Sequence, residues 1–280
     1  MNRLSILKSA TLCRTFGFTL GVVLLSQCSA PVSVRMEKHV STLGAPIATD
    51  GIMDTIRDAH DRIRRGDDSA IPTYNYSVAR LIEELERIGA DPWSGTITYT
   101  GTSGSLRLRG TYPLGSNPLG NKLIPTDTLD FRGEIAKEQS LVAGLGAAVV
   151  EVGEIDKLGR LKIRKKLPLR NLTAVVRFTG DLAKLELLDP YQIEQVNLGG
   201  RSHRLSADYG AAIMLGMSHA RVDKLGLVRL LHPSRYNDTA NLNFMQPYDP
   251  KRIPVLFVHG LDSTPATFAP MCFKLLQDPE

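Results

Sequence analysis

Apolar residues recur at helical spacing in residues 77–88. The positions that share one face of this helix are Val78, Leu81, Ile82, Leu85 and Ile88. Asn75 or Ser77 can cap its start, and Gly89 followed by Asp91-Pro92 can end it. Because a continuous apolar stripe must be buried against another element, we expect a packed domain to begin here.

After this helix the pattern changes to the two-residue alternation of strands. Residues 96–100 and 106–109 alternate on either side of a loop rich in glycine, serine and threonine, which predicts a hairpin. Further short strands bounded by turn residues are predicted over residues 147–152, 161–164, 172–178 and 184–188. This density of short strands favours an antiparallel sheet or a small sandwich. Trp93 is expected to anchor the core beside it.

A second helix is predicted over residues 207–222, with Ser206 as its cap and Asp208 in its first turn. Its stretch AAIMLGM is apolar nearly all round, so we expect burial on several sides. Residues 29–72 are weakly periodic and predict a partly disordered tether with one short helix near residues 50–64. Residues 231–250, rich in Asn, Asp, Pro and Tyr, predict a linker along a surface.

The first 28 residues differ from the rest of the chain. Arg3, Lys8 and Arg14 are their charged residues, and the apolar run of residues 15–25 covers 11 positions. A helix that spans a bilayer needs about 20 apolar residues, so this segment predicts an export signal. Without it, 31 basic and 29 acidic residues remain, and this near balance calls for no nucleic-acid partner.

The end of this signal, Leu25-Ser26-Gln27-Cys28, resembles the lipobox of bacterial lipoproteins. In that family the cysteine receives lipid and becomes the new N-terminus, although Gln27 departs from the small residue that the family favours. The resemblance implies a lipoprotein anchored through Cys28 on the periplasmic or cell-surface side of a membrane. The alternatives are plain secretion and an uncleaved apolar N-terminus.

The cysteines and histidines predict neither disulfides nor a metal site. Cys13 would leave with the signal and Cys28 would carry lipid, so Cys272 would remain alone. The sequence contains no C-x-x-C and no H-E-x-x-H. The histidines are scattered, and the spacing of His203, His219 and His232 matches no ligand pattern. We therefore predict no metal.

Near the C-terminal end the apolar run 255–258 (VLFV) has strand length, as expected of a strand buried on both faces of a parallel sheet. It leads directly into His259-Gly260, and a proline-started helix can follow at Thr264-Pro265 or Ala269-Pro270. This arrangement resembles the oxyanion-hole segment of the α/β-hydrolase fold. There the glycine allows a sharp turn, and a following backbone N–H stabilises the negative oxygen of the tetrahedral intermediate.

The resemblance implies that Leu261 is the N–H donor of the oxyanion hole, with His259 and Gly260 shaping the turn. The wider stretch 248–270 looks like a bacterial α/β-hydrolase subgroup with a long exported N-terminal extension. The implied fold class is α+β, a β-rich extension with two helices followed by the first strand and helix of an α/β-hydrolase. The implied domains are a signal (1–28), a tether (29–72), a β-rich accessory domain (73–247) and the start of a hydrolase domain (248–280).

The residues that perform hydrolysis in this family are not found in the sequence. The nucleophilic Ser, the Asp or Glu and the base His all follow the oxyanion segment, and no G-x-S-x-G occurs in the chain. We therefore expect a truncated esterase- or lipase-like serine hydrolase without activity, acting on an ester or lipid only in a full-length form. Such hydrolysis needs no cofactor. The alternative is a lipid-anchored binding or scaffold protein that acts through residues 73–247.

The densest group of basic residues consists of Lys162, Arg164, Lys165, Lys166 and Arg170. It could contact anionic lipid headgroups, as suits a tethered chain. The alternative, which we favour, is a solvated strand edge that lysine protects from aggregation.

Overall fold

The structure is a computed structural model that describes residues 33–36, 49–101, 104–113, 122–133, 141–153, 169–220, 250–251, 253–258, 268, 271–272 and 275. The described residues include three α-helices: α1 (Thr49–Arg64), α2 (Ile71–Ile88) and α3 (Ala211–Ala220). Short 3-10 turns lie at Asp68–Ala70 and Thr126–Thr128.

The strands among the described residues are β1 (Ser33–Met36), β2 (Ile97–Gly101), β3 (Gly104–Thr111), β4 (Lys122–Pro125), β5 (Leu129–Arg132), β6 (Leu141–Val142), β7 (Ala147–Val152), β8 (Leu169–Thr179), β9 (Leu182–Leu188), β10 (Gln195–Leu198), β11 (Arg201–Arg204) and β12 (Ala207–Asp208). Six of them form a curled sheet in the order β2-β3-β9-β8-β7-β4. Three two-stranded sheets flank it, namely β1-β5, β10-β11 and β12-β6.

The architecture is therefore mixed α+β, as predicted, but the main sheet is not purely antiparallel. Strands β3 and β9 pair in parallel, with Arg109 opposite Lys184. The other pairs of this sheet are antiparallel. A parallel pair requires a long crossover between its strands, and here β4 to β8 lie between them in sequence. Strand alternation in the sequence cannot reveal such a pairing.

The predicted strands differ from the observed ones mainly at their ends. The strand predicted at residues 147–152 has the observed bounds of β7, and the hairpin of β2 and β3 is confirmed. The strand predicted at residues 161–164 lies outside the described residues. Trp93 is confirmed as a core residue, since its ring packs beside Gly110 and 5.3 Å from the Tyr112 ring.

Helix α2 begins at Ile71, six residues before the predicted start at Ser77. Pro72 lies in its first turn, where a missing N–H costs no helical hydrogen bond. Neither predicted cap is used, because Ser77 is buried inside the helix and Asn75 binds the loop between β6 and β7. Gly89 ends the helix in the left-handed conformation, as predicted, with φ of 64°.

Helix α1 has nearly the bounds predicted for the helix near residues 50–64, but it belongs to the main core and not to a tether. Ile56 and Ile63 are completely buried, as is Tyr74 of α2. The core thus starts well upstream of residue 73, the expected domain boundary. Tyr74 fastens the helix layer to the sheet, since its hydroxyl donates to the Val176 carbonyl at 2.6 Å and accepts from the Val176 N–H at 2.7 Å.

Helix α3 covers the opposite face of the sheet at β7 and β8. Burial on several sides is confirmed, since Ala211, Met214 and Leu215 are all at most 3% exposed. The predicted start was wrong, because residues 207–208 form the strand β12 and Ser206 is not the cap. Asp208 caps the helix instead, with its Oδ1 accepting from the N–H groups of Gly210 and Ala211.

Candidate functional site

The segment predicted to begin a hydrolase sheet is not a strand in the structure. Residues 253–258 pair with no described strand, and Val255, Leu256 and Val258 are 62%, 71% and 76% exposed. The prediction of a buried strand is therefore wrong for this chain. A strand needs neighbours for its backbone hydrogen bonds, and the described residues supply none.

The residues around this segment are described only in part. His259, Gly260 and Leu261, the predicted oxyanion-hole residues, lie outside the described residues, as does Cys28, the predicted lipid site. Phe257 contacts Phe268 with ring centroids 5.2 Å apart, and Met271, Cys272 and Leu275 have helical backbone. Burial raises the pKa of the Cys272 thiol. A low-pKa thiolate, which a nucleophilic cysteine needs, is thus not favoured there.

The described part of the chain contains no group of three His, Cys, Asp or Glu side chains that could hold a metal ion. Among the same residues, no helix has the length and apolar character required to cross a bilayer.

Arg170, predicted as part of the basic group, has a different role from its neighbours in sequence. It pairs with Glu151 across β7 and β8, and its Nε donates to Glu151 Oε2 at 2.9 Å. Glu151 is completely buried, so its charge requires this guanidinium. The other four members, residues 162–166, lie outside the described residues. The interpretation of a lipid-contacting group therefore cannot include Arg170.

A polar cluster lies under the start of α3. Asn171 of β8 donates to the Tyr209 carbonyl at 3.0 Å and accepts from the Ala212 N–H at 3.0 Å. Burial raises the pKa of Asp208 to about 6, against the opposing effect of its two backbone hydrogen bonds. The Asn171 amide and one carboxylate oxygen of Asp208 are thus used to hold the helix terminus, which is a structural role.

An open groove of about 480 Å³ separates α2 from β4. Charged residues of both signs line it, including Glu86, Arg87 and Lys122. Glu86 is itself engaged, since its Oε1 accepts from the Leu123 N–H at 3.0 Å, and burial raises its pKa. The lining of the groove therefore has no predominant sign of charge, and it contains no nucleophile beside a base.

Another group of charged residues lies on the main sheet. Residues of β3, β9 and β8 that face away from α1 and α2 form a surface that we call the basic face, consisting of Arg107, Arg109, Arg177, Lys184 and Glu186. Helix α3 covers the β7 and β8 half of the same side, and leaves the β3 and β9 part uncovered by described residues.

The register places three cations of the basic face in one row. Arg109 is opposite Lys184, and Lys184 is opposite Arg177, so the three side chains lie on adjacent strands. Glu186 binds two of them, at 2.9 Å from Arg177 Nε and 2.8 Å from Lys184 Nζ. Sequence analysis did not single out this row, because its members are close only through the pairing of the strands.

Comparisons with known proteins add no identification: no protein-family model matches the chain, and no curated protein or solved structure has significant similarity to it.

Proposed function

We propose that this chain is the N-terminal part of an exported serine hydrolase of the α/β-hydrolase family, with residues 248–280 at the start of the catalytic domain. The observation that carries the proposal is the segment IPVLFVHG, an apolar run of strand length joined to a His-Gly turn. The proposed substrate class is a carboxylic ester or lipid, and the proposed anchor is lipid on Cys28.

The exposure of the apolar segment supports this proposal. Ile253 is 90% exposed and Leu256 is 71% exposed, although both side chains are apolar. Contiguous apolar residues exposed to water are characteristic of surfaces that bind another element. In the proposed enzyme, further strands of the hydrolase sheet cover this segment and bring the Leu261 N–H to the oxyanion hole.

The domain upstream would then be an accessory unit rather than the catalyst. Helices α1 and α2 pack on one side of its main sheet, and α3 packs on the β7 and β8 part of the other side. This same observation favours the second candidate function, a lipid-anchored binding or scaffold protein that acts through this domain. The two candidates differ in whether a catalytic domain accompanies it.

The test is to read the gene beyond the codon for Glu280 and to assay both products with a fluorescent fluorophosphonate and p-nitrophenyl esters. We expect the 280-residue chain to be unlabelled and inactive. We expect a downstream frame to encode G-x-S-x-G and a later histidine, and its product to be labelled and to hydrolyse esters. The absence of such a frame would reject the hydrolase and leave the binding protein.

Within the extended product, Leu261→Pro removes the backbone N–H that the proposal assigns to the oxyanion hole. We expect it to lower kcat by about 10²–10³-fold with little change in fluorophosphonate-reactive protein. Leu261→Ala keeps the N–H and is the matched control. Equal activity of the two variants would show that Leu261 is not the donor.

A further inference from the structure

We propose that the basic face of the main sheet binds the anionic surface of a lipid bilayer. The row formed by Arg109, Lys184 and Arg177 is its centre, and Arg107 is adjacent on β3. This interaction goes beyond the proposed hydrolase and does not depend on a catalytic domain. It uses the folded accessory domain and is distinct from lipid attachment at Cys28.

The first argument is the electrostatic repulsion between the cations of the row, which destabilises the sheet. Like charges on directly opposed positions of neighbouring strands destabilise a sheet. The row contains two such pairs in succession, Arg109 with Lys184 and Lys184 with Arg177. A solvated sheet face needs only alternating polar residues, such as the threonines of β2, and has no need of cations in register. Glu186 offsets the repulsion between Lys184 and Arg177, and Arg177 also donates to the Asn197 carbonyl at 2.8 Å. The repulsion between Arg109 and Lys184 is left for an anionic partner to offset.

The second argument is that the acidic residues nearby do not neutralise the face. Glu186 is shared between Arg177 and Lys184, and Asp181 pairs with Arg107, with 3.0 Å between Arg107 Nε and Asp181 Oδ2. Four cations thus face two carboxylates, which leaves a net charge of +2. Arg109 is exposed and makes no ion pair with any residue that the structure describes.

The third argument is the accessibility of the charges. The side chains of Arg107 and Lys184 are 56% and 48% exposed, so both charged groups reach solvent. Neighbouring strands lie about 4.8 Å apart, so the row extends over roughly 10 Å along the sheet. An extended row of this kind suits an array of headgroups rather than one small anion. The export signal favours a membrane over nucleic acid as the polyanion.

The experiment measures binding of the full 280-residue chain to vesicles by co-sedimentation. One set contains phosphatidylcholine alone, and in the other about a third of the lipid is phosphatidylglycerol. The ratio of the two partition coefficients reports the electrostatic part of binding. Arg3, Lys8 and Arg14 of the N-terminal segment add the same electrostatic contribution in every variant, so the difference between variants isolates the basic face. Arg109→Gln with Lys184→Gln, the row variant, removes two cations from the row. Arg64→Gln with Arg65→Gln, the α1 variant, removes two exposed cations on the other side of the sheet, at the last residue of α1 and the residue after it.

We expect the row variant to lose about tenfold or more of the preference for anionic vesicles, and the α1 variant to retain it. The preference of the unmodified chain should also fall steeply as salt is added. Thermal unfolding confirms that each variant is folded. In the row variant, loss of the Lys184–Glu186 ion pair opposes the relief of repulsion between like charges, so the variants are compared only where both are fully folded. No preference in the unmodified chain, or equal losses in the two variants, would overturn the proposal.

Discussion

Two opposing effects act on the pKa of the Asp208 carboxyl group. It is 4% exposed, and burial disfavours its charged form, yet two backbone N–H groups at the start of α3 donate to it. Burial is the larger effect, so the pKa rises from 3.8 to about 6. The folded protein therefore retains this proton at pH values where the unfolded chain has released it.

This difference predicts a pH dependence of stability. The contribution of Asp208 is complete below the unfolded pKa of 3.8 and is lost as the pH rises through about 6. Asp208→Asn keeps the accepting oxygen without titrating. We expect the stability of the unmodified chain relative to this variant to fall by on the order of 2 kcal/mol between about pH 4 and pH 7.

Urea unfolding at several pH values measures this difference. Asp58→Asn, at an exposed position of α1, is the control for loss of a carboxylate from the surface. If Asp208→Asn showed the same pH dependence as the unmodified chain, titration of Asp208 would not be linked to folding.

At the scale of elements, the loop between β6 and β7 determines how several parts of the chain fit together. The Asn75 side chain of α2 holds both ends of this loop, by donating to the Gly144 carbonyl and accepting from the Gly146 N–H. The Leu145 N–H donates to the Arg204 carbonyl at 2.8 Å, which joins the loop to the end of β11. The close approach of the two backbones requires a glycine at residue 144.

Gly144→Ala tests this contact. The added Cβ would overlap the Arg204 carbonyl oxygen and lie 2.7 Å from the Leu205 carbonyl carbon, and neither backbone atom can move independently. We expect a loss of about 3 kcal/mol or more in the free energy of unfolding. Gly95→Ala is the control, since nothing lies within 4 Å of its added Cβ. Equal unfolding midpoints for the two variants would contradict the close approach.

For the whole molecule, the structure separates a packed domain from an exposed apolar segment. Leu185 of β9 is completely buried, whereas Leu256 is 71% exposed. The free energy of folding of this chain should therefore depend on the domain and hardly on residues 253–258. The segment should instead determine how strongly the chain binds apolar probes and other molecules.

Two matched substitutions distinguish these contributions. We expect Leu256→Asp to change the free energy of unfolding by less than about 0.5 kcal/mol and to reduce the binding of an apolar dye. Leu185→Asp places a charge in the core and should prevent folding. Circular dichroism and dye fluorescence measure both effects. A large loss of stability in Leu256→Asp would show that residues 253–258 are buried in the 280-residue chain.

The sequence by itself determined the α+β class, the C-terminal end of α2 at Gly89, the hairpin of β2 and β3, and the bounds of β7. Each depends on local rules: helical or alternating spacing, glycine in the left-handed conformation, and turn residues. The candidate oxyanion segment also came from the sequence, and it stays a prediction.

Only the tertiary structure decided which segments meet. The parallel pairing of β3 with β9 and the inclusion of α1 in the core depend on contacts between residues far apart in sequence. The same is true of the ion pair of Arg170 with Glu151 and of the row centred on Lys184. Local patterns specify which face of an element is apolar, but not its partner, because the register of the strands and the packing of the helices follow from the collapse of the whole chain.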